Sequence, residues 1–394
     1  MRRLGLLLLA LLMVVPSWAE KKFTVQQLSD LLETMQQKKK SDAEIASELK
    51  QISLSEQLPR AAMNALVKDS SGPRTMEQIY VLEAKSALLP PPAIDAIVRP
   101  TPDAAQQKAI LDKAAAFVKL TYDALPPLRA LRTTLRFQDN LTAIDSSSGL
   151  QGSSKDATMG SVNTDPNNQY VRFIHSTQTP VEFAGGSQKT LPRDHSTLWG
   201  QNGMITVNSP EPSLGKAFSD AVTSASFAFA RWEAVNGRPV AVFTFAADKK
   251  KSRLPIDICC FPTVSQAGIA RFYSPTLGPS AGLSGGGAVG NMQINTQWHD
   301  YKKSVPYRGT VYIDPENGIV MRLVTEAEFG SSEYVRLLNE RTDFAPVKAG
   351  NRTLIAPVKT IIQSEVVPQG DSGVGGNTIR HTYLVSEYTN YAIQ

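Results

Sequence analysis

The chain predicts an α+β protein: a small α-helical region, then a large curved antiparallel sheet with one helix packed on it, the arrangement that a family resemblance given below specifies as a half-open β-barrel. Three observations predict it. Helical spacing of apolar residues gives way to alternation after about residue 125. Turn signals then recur too closely for parallel βαβ crossovers. A sheet of ten or so antiparallel strands is expected to curl or close rather than stay flat.

The chain has 394 residues, enough for a large core or two domains, and 42% hydrophobic with 20% charged content describes a globular protein. The net charge of +5 is scattered. Lys38-Lys39-Lys40 and Lys249-Lys250-Lys251 sit beside helix-end or turn sequence and read as solvated runs, so no nucleic-acid partner is expected.

Residues 1–19 read as a signal peptide: Arg2-Arg3, an apolar run too short to span a bilayer, then Ser17-Trp18-Ala19. Cleavage near Ala19 predicts an exported protein, periplasmic or secreted, with no transmembrane segment in the mature chain. Its loss leaves 39 basic against 36 acidic residues, a net charge of +3. The two cysteines are neighbours, Cys259 and Cys260. Their Cα atoms lie about 3.8 Å apart, below the usual disulfide range. Two thiols on opposite faces of a strand is the simpler reading, and a strained vicinal redox pair is the alternative.

Residues 20–100 read as a helical region. Val25, Leu28, Leu31, Leu32 and Met35 keep helical spacing behind Thr24, and Ser41 to Glu44 fits a capping box ahead of Ile45, Leu49 and Ile52. Pro90-Pro91-Pro92 and Pro100 end the pattern. Residues 101–394 read as the sheet domain. Thr101-Pro102 suits the start of a long amphipathic helix that Pro126-Pro127 ends. Strands follow around 133–137, 170–176, 181–183 and 203–208, with a polar loop expected at 145–168 and a short helix at 212–222. Asn236-Gly237 joins two strands as a hairpin, and residues 254–261 are expected to pair next. Further strands are expected at 267–273, 292–298, 341–346, 353–366 and 379–391.

The most legible hairpin is residues 307–323, YRGTVYIDPENGIVMRL. Asp314 can bond forward, Pro315 presets the first corner and Gly318 supplies a positive φ. The strand patterns put Phe227 with Phe229, Phe243 with Phe245, Val311 with Ile313, and Met321 with Leu323 on shared faces. These eight residues are the candidate lining of a barrel, either as packed core or as the wall of a hydrophobic site.

Catalytic motifs fail on context. Ser284 sits in Gly282-Leu283-Ser284-Gly285-Gly286 without the strand-to-helix frame of a nucleophile elbow. The glycines at 285–290 lack a βαβ unit, so no dinucleotide cofactor is expected. Gly370-Asp371-Ser372-Gly373 is followed by Val374 and lacks a histidine motif. His175, His195, His299 and His381 form no metal-binding spacing and read as surface or interface residues. No catalytic residue, metal or cofactor is assigned.

The helix-then-strand order from Pro102 to Phe137, the 307–323 hairpin with Asp314, Gly318 and Arg322, and the closing FAPVKAGNRTLIAPVKT and VSEYTNYAI segments resemble the LolA/LolB-type lipoprotein-carrier domain. The mature chain also resembles exported bacterial proteins that put a helical region ahead of such a domain. The resemblance covers about residues 101–394 and implies a half-barrel that shields a lipid or acyl chain without covalent chemistry. The expectation is therefore an exported, non-enzymatic carrier of a hydrophobic ligand. The alternative is a cell-envelope interaction protein whose sheet is a scaffold and whose residues 20–100 bind a partner. A hydrolase with an unrecognised site is a third reading.

Overall fold

Thr24 and Ser41 each close a capping box with the residue three positions on, so α1 (Val25–Gln37) and α2 (Asp42–Leu49) begin where the sequence expects. α3 (Arg60–Lys68) follows Pro59, and α4 (Pro73–Ser86) takes a proline into its first turn. β1 (Lys21–Phe23) and β2 (Ile52–Leu54) pair in parallel beside them. Leu28, Ile45, Leu49, Met63 and Ile79 share one core within this helical unit. The computed structural model describes residues 21–139, 170–184, 187–188, 206–207, 214–224, 227–247, 249–250, 253–263, 297–331, 333–366 and 379–394.

α5 (Ala104–Phe117) starts later than Thr101-Pro102 suggests, because Asp103 takes the cap and closes a box with Gln106. It runs into a π-helical turn at Val118–Tyr122. α6 (Leu214–Ser224) joins the same core.

The first strands are β3 (Leu128–Gln138), β4 (Arg172–Ala184), β5 (Ser187–Gln188) and β6 (Thr206–Val207). β7 (Ala228–Val235) and β8 (Arg238–Ala246) form the Asn236-Gly237 hairpin, with both turn residues at positive φ. β9 (Leu254–Thr263) and β10 (Gln297–Val305) follow, then β11 (Tyr307–Ile313) and β12 (Val320–Ala327). β13 (Val335–Ala349), β14 (Arg352–Val366) and β15 (Arg380–Ile393) end the chain. Ten of them form one antiparallel sheet in the order β5-β4-β3-β15-β14-β13-β12-β11-β8-β7. β9 does not pair with β8 as expected. β11 takes that place, and β9 joins β10 and β6 in a separate three-stranded sheet.

The expected half-open barrel is corrected by this topology. β5 and β7 end the sheet without meeting, and the sheet is neither closed nor strongly curled. Both faces are covered, which gives the physical reason. α5, the π-helical turn and α6 pack on one face, and the helical unit packs on the other. A sheet flanked by a layer on each side buries its apolar surface without wrapping on itself. Its edges are blunted: β5 has two residues, and Ala96 of the 87–103 linker bridges Glu233 on β7.

The 307–323 hairpin forms as expected. Asp314 Oδ1 accepts from Glu316 N at 2.9 Å and Oδ2 from Asn317 Nδ2 at 3.0 Å. Gly318 has φ +76°, and a Cβ there would lie 2.5 Å from the Lys113 backbone. The glycine therefore serves both the turn and the close approach of α5, and Lys113 Nζ donates to Pro315 O and Glu316 O. One detail differs. The register shifts between Tyr312 and Ile313, whose partners are Arg322 and Val320. Met321 is the extra residue of this bulge, which turns it to the opposite face from Leu323.

Candidate functional site

The eight predicted lining residues do not frame a cradle. Phe243, Val311 and Ile313 are completely buried, and Phe245 and Leu323 nearly so. Phe227 and Phe229 pack against the same core. Their rings interlock edge-to-face or tilted, Phe229 with Phe243 at 5.6 Å and Phe227 with Phe245 at 5.8 Å. Met321 lies across the sheet with Val240, Val242 and Tyr312. The carrier reading falls with the barrel: an open, uncurled sheet covered on both faces does not cradle an acyl chain.

The most elaborate polar arrangement lies where the helical unit meets the sheet. α4 crosses β14, β15 and β4. Val81, Ala84 and Ala87 supply its apolar contact, against Phe137, Ile361 and Val385. Around that patch the contact is made by charges and amides. Lys359 Nζ donates to Glu83 Oε1 at 2.5 Å, with both residues buried, and lies 3.3 Å from Glu387. Glu83 Oε2 has no hydrogen-bond partner among the described residues.

The end of α4 is capped by the sheet. A helix leaves its last carbonyls without intrahelical partners. Here Gln363 Nε2 donates to Ala84 O at 2.7 Å and to Lys85 O at 3.3 Å. Leu89 N donates to Ser86 O at 3.0 Å. Ala87 O accepts from Gln57 Nε2 at 2.6 Å and from Arg341 Nη1 at 3.0 Å. The cation also suits the negative end of the helix.

Beyond Ala87 lies an ion cluster. Arg341 grips Asp343 through Nε at 3.0 Å and Nη2 at 2.7 Å. Arg322 Nε donates to the same Oδ1 at 2.5 Å, and its Nη1 donates to Gln57 Oε1 at 3.2 Å. Glu233 lies 3.9 Å from Arg322 and accepts two bonds from Arg231. The Arg322 guanidinium stacks 5.1 Å from the Tyr312 ring centroid. Burial alone would raise the Asp343 carboxyl, but the Arg322 and Arg341 charges and hydrogen bonds outweigh it and hold the pKa below the ordinary carboxylate range. Burial likewise works against the Arg322 charge, and Asp343 reverses it, so Arg322 stays charged. Chemically this is a clamp: fixed charges neutralise one another and lock an orientation.

The linker after α4 extends the same contact. Trp232 Nε1 donates to Pro100 O at 2.9 Å, and Arg99 lies over the Trp232 ring at 5.6 Å. Between these anchors Ile94 is 90% exposed and Val98 is fully exposed.

The histidines do not meet in one cleft. His175 is an exposed residue of β4, His195 lies outside the described residues, and His299 is placed only by its backbone in β10. His381, read from the sequence as a surface or interface residue, is partly buried and paired. Asp139 accepts from its backbone N at 2.7 Å and pairs with Nδ1 at 2.6 Å, while Nε2 lies 3.7 Å from Glu365. The Asp139 hydrogen bond raises its pKa; burial opposes this, the Asp139 and Glu365 charges add to it, and Lys85 lowers it. A raised folded pKa contributes stability in full below the unfolded value of about 6.5, and loses it as pH rises through the folded value. An NMR titration of the imidazole is expected to give a midpoint above that of a model peptide, and Asp139→Asn to bring it back down. An unshifted midpoint in the unsubstituted protein would rule this out.

Cys259 and Cys260 lie in β9 by their backbone, with Cys259 opposite Thr206. Ser284, the glycines at 285–290, the 370–373 motif, the 145–168 loop and residues 1–19 lie outside the described residues. Lys249 is paired with Glu328 at 2.8 Å. Among the described residues no group of histidine, cysteine and carboxylate side chains could hold a metal, and no helix is long and apolar enough to cross a membrane.

No protein-family model, no curated protein and no solved structure matches the chain, so the lipoprotein-carrier resemblance gains no support from the comparisons.

Proposed function

We propose that the protein is a non-enzymatic interaction scaffold of the cell envelope, exported by its N-terminal segment, in which the sheet holds the helical unit in a fixed orientation toward a protein partner. The observation that carries this reading is the clamp. Arg322, Arg341 and Lys359 reach from the sheet to Gln57, the Ala87 carbonyl and Glu83 of the helical unit, and Asp343 holds the two arginines in place. Buried ionic contacts of this kind favour one arrangement over others more than they add stability. The unit's outward surface is polar along α1, at Ser29, Glu33 and Lys38-Lys39-Lys40, and apolar at Ile94 and Val98 on the linker. Exposed aliphatic side chains on the linker, with polar surface on the helices, support the reading of a contact surface.

Site-specific photo-crosslinking in the native envelope tests it. Benzophenone side chains at Glu33 and Ile94 are expected to give one discrete adduct, and the same probe at exposed Lys348 on β13 is expected to give none. Adducts of equal yield at all three positions, or at none, would remove the scaffold reading. Deleting residues 20–100 is the poorer test, because it strips the cover from Phe137, Ile361, Val385, Val242 and Tyr312.

A further inference from the structure

The ten-stranded sheet has two edges, and they are finished differently. At β7, Ala96 of the linker bridges Glu233, Arg231 pairs with Glu233, and Arg99 stacks on Trp232. At the other end, β5 pairs only with Phe183 and Ala184 of β4. The rest of β4 has β3 on one side and, among the described residues, no strand on the other. Ser176, Gln178 and Pro180 are exposed there, and Thr177 and Thr179 are half-buried.

Three residues decide which backbone groups face off this edge. Phe173 N donates to Glu77 Oε1 of α4 at 3.0 Å, so Phe173 turns away from β3. Ile174 is the extra residue of a bulge, because Phe173 stands opposite Phe137 and His175 opposite Arg136. Pro180 has no N–H, and a proline within a sheet turns its nitrogen to the side that faces off the edge. Residues two apart in a strand send their backbone groups to the same side, so Ser176, Gln178 and Pro180 face outward together. Ser176 and Gln178 each offer an N–H and a C=O, and Pro180 offers a C=O alone. Such a row is complemented by another extended backbone.

We propose that two copies of this chain pair through β4, antiparallel about a two-fold axis at Thr177, and join their sheets edge to edge. Edges that avoid one another carry lysine or other charges. Residues 176–181 read STQTPV and carry none. A two-fold axis sets the same stretch against itself, and like charges directly opposite would oppose it. About Thr177 the axis sets Ser176 against the partner's Gln178, and each donates its N–H to the other's C=O. Thr177 meets the partner's Thr177, and His175 meets the partner's Thr179, so no like charges stand opposite. Phe173 falls against the partner's Pro180. Neither has an N–H to give, since Glu77 already takes that of Phe173. The Phe173 ring, 38% exposed in the single chain, gains an apolar neighbour in that proline. This edge is the one remote from the linker, and the pairing is independent of the scaffold reading.

Sedimentation equilibrium of the whole protein over a wide concentration range tests the pairing. A reversible monomer–dimer exchange is expected, and a weak one, because an edge-to-edge contact is smaller than a standard interface. The amides of Ser176 and Gln178 are expected to exchange more slowly as concentration rises, while that of Thr177, which faces β3, stays unchanged. Gln178→Pro removes an outward N–H without touching the β3 ladder. It is expected to abolish the dimer while the β3 amides keep their protection. Thr177→Lys and Thr177→Glu place like charges at the axis, and each is expected to weaken association by about tenfold or more. Mixing those two variants is expected to restore it. A protein that stays monomeric at every concentration, a dimer in which Ser176 and Gln178 exchange as in the monomer, or a mixture that associates no better than either variant would overturn the proposal.

Discussion

Asp343→Ala is expected to cost about 3–5 kcal/mol of folding stability, read as a lower urea midpoint. The carboxylate is shared by Arg322 and Arg341, and both guanidinium groups are buried. Removing it leaves two cations facing each other with only Glu233, 3.9 Å from Arg322, as a counter-charge, next to the Ala87 carbonyl and Gln57. The penalty is one of stranded charge rather than lost contact. Amide exchange is therefore expected to accelerate first in α4 and the 87–103 linker, with β13 and β14 affected less. A loss below about 1 kcal/mol would mean that solvent already reaches the cluster. The pH dependence has a definite sign. The folded carboxyl is depressed, so its contribution is complete above the unfolded value of about 3.9 and declines as pH falls toward the folded value. Acid should therefore loosen the helical unit in the parent and have less further effect in Asp343→Ala.

Lys359 and Glu83 carry the second large effect. Each is buried, and each is the other's nearest counter-ion. Lys359→Met alone is expected to cost about 3 kcal/mol, because Glu83 is left buried without its counter-ion. Glu83→Leu alone is expected to cost somewhat less, since Lys359 keeps Glu387 at 3.3 Å, which is 39% exposed. The double variant is expected to return to within about 1 kcal/mol of the parent. Chemical denaturation of the four proteins gives the coupling energy directly. Simple additivity of the two single losses would show that the pair does not act as a unit. A stable double variant that no longer crosslinks through Ile94 would tie the pair to orientation rather than to stability.

Sequence and structure agree where the controlling interactions are local. The capping boxes at Thr24 and Ser41 need only residues three apart, and the 307–323 turn needs only Asp314 through Gly318. They diverge where distant segments choose partners. Asn236-Gly237 fixes the β7–β8 hairpin, but no turn signal states that β8 accepts β11 rather than β9. The Met321 bulge is likewise set by the fit of β12 against β11, and strict alternation misplaces that side chain. The half-barrel expectation failed because it counted strands without knowing that a helical unit covers the second face. The clamp had a faint signature: Arg341 and Asp343 two apart, and Lys359 and Gln363 four apart, in strands that otherwise alternate apolar residues. Charges at inward positions of a strand mark something laid over it.

The order of strands has a consequence in time. β15, the last element of the chain, lies inside the sheet between β3 and β14. Until residues 380–393 have been made, β3, β4 and β5 have no edge on which to join the other strands. The two portions of the sheet are separate hairpin systems held by one chain, and their union is a contact of very long sequence separation, the slow kind in folding. The ten-stranded sheet can therefore be completed only after residues 380–393 have been made.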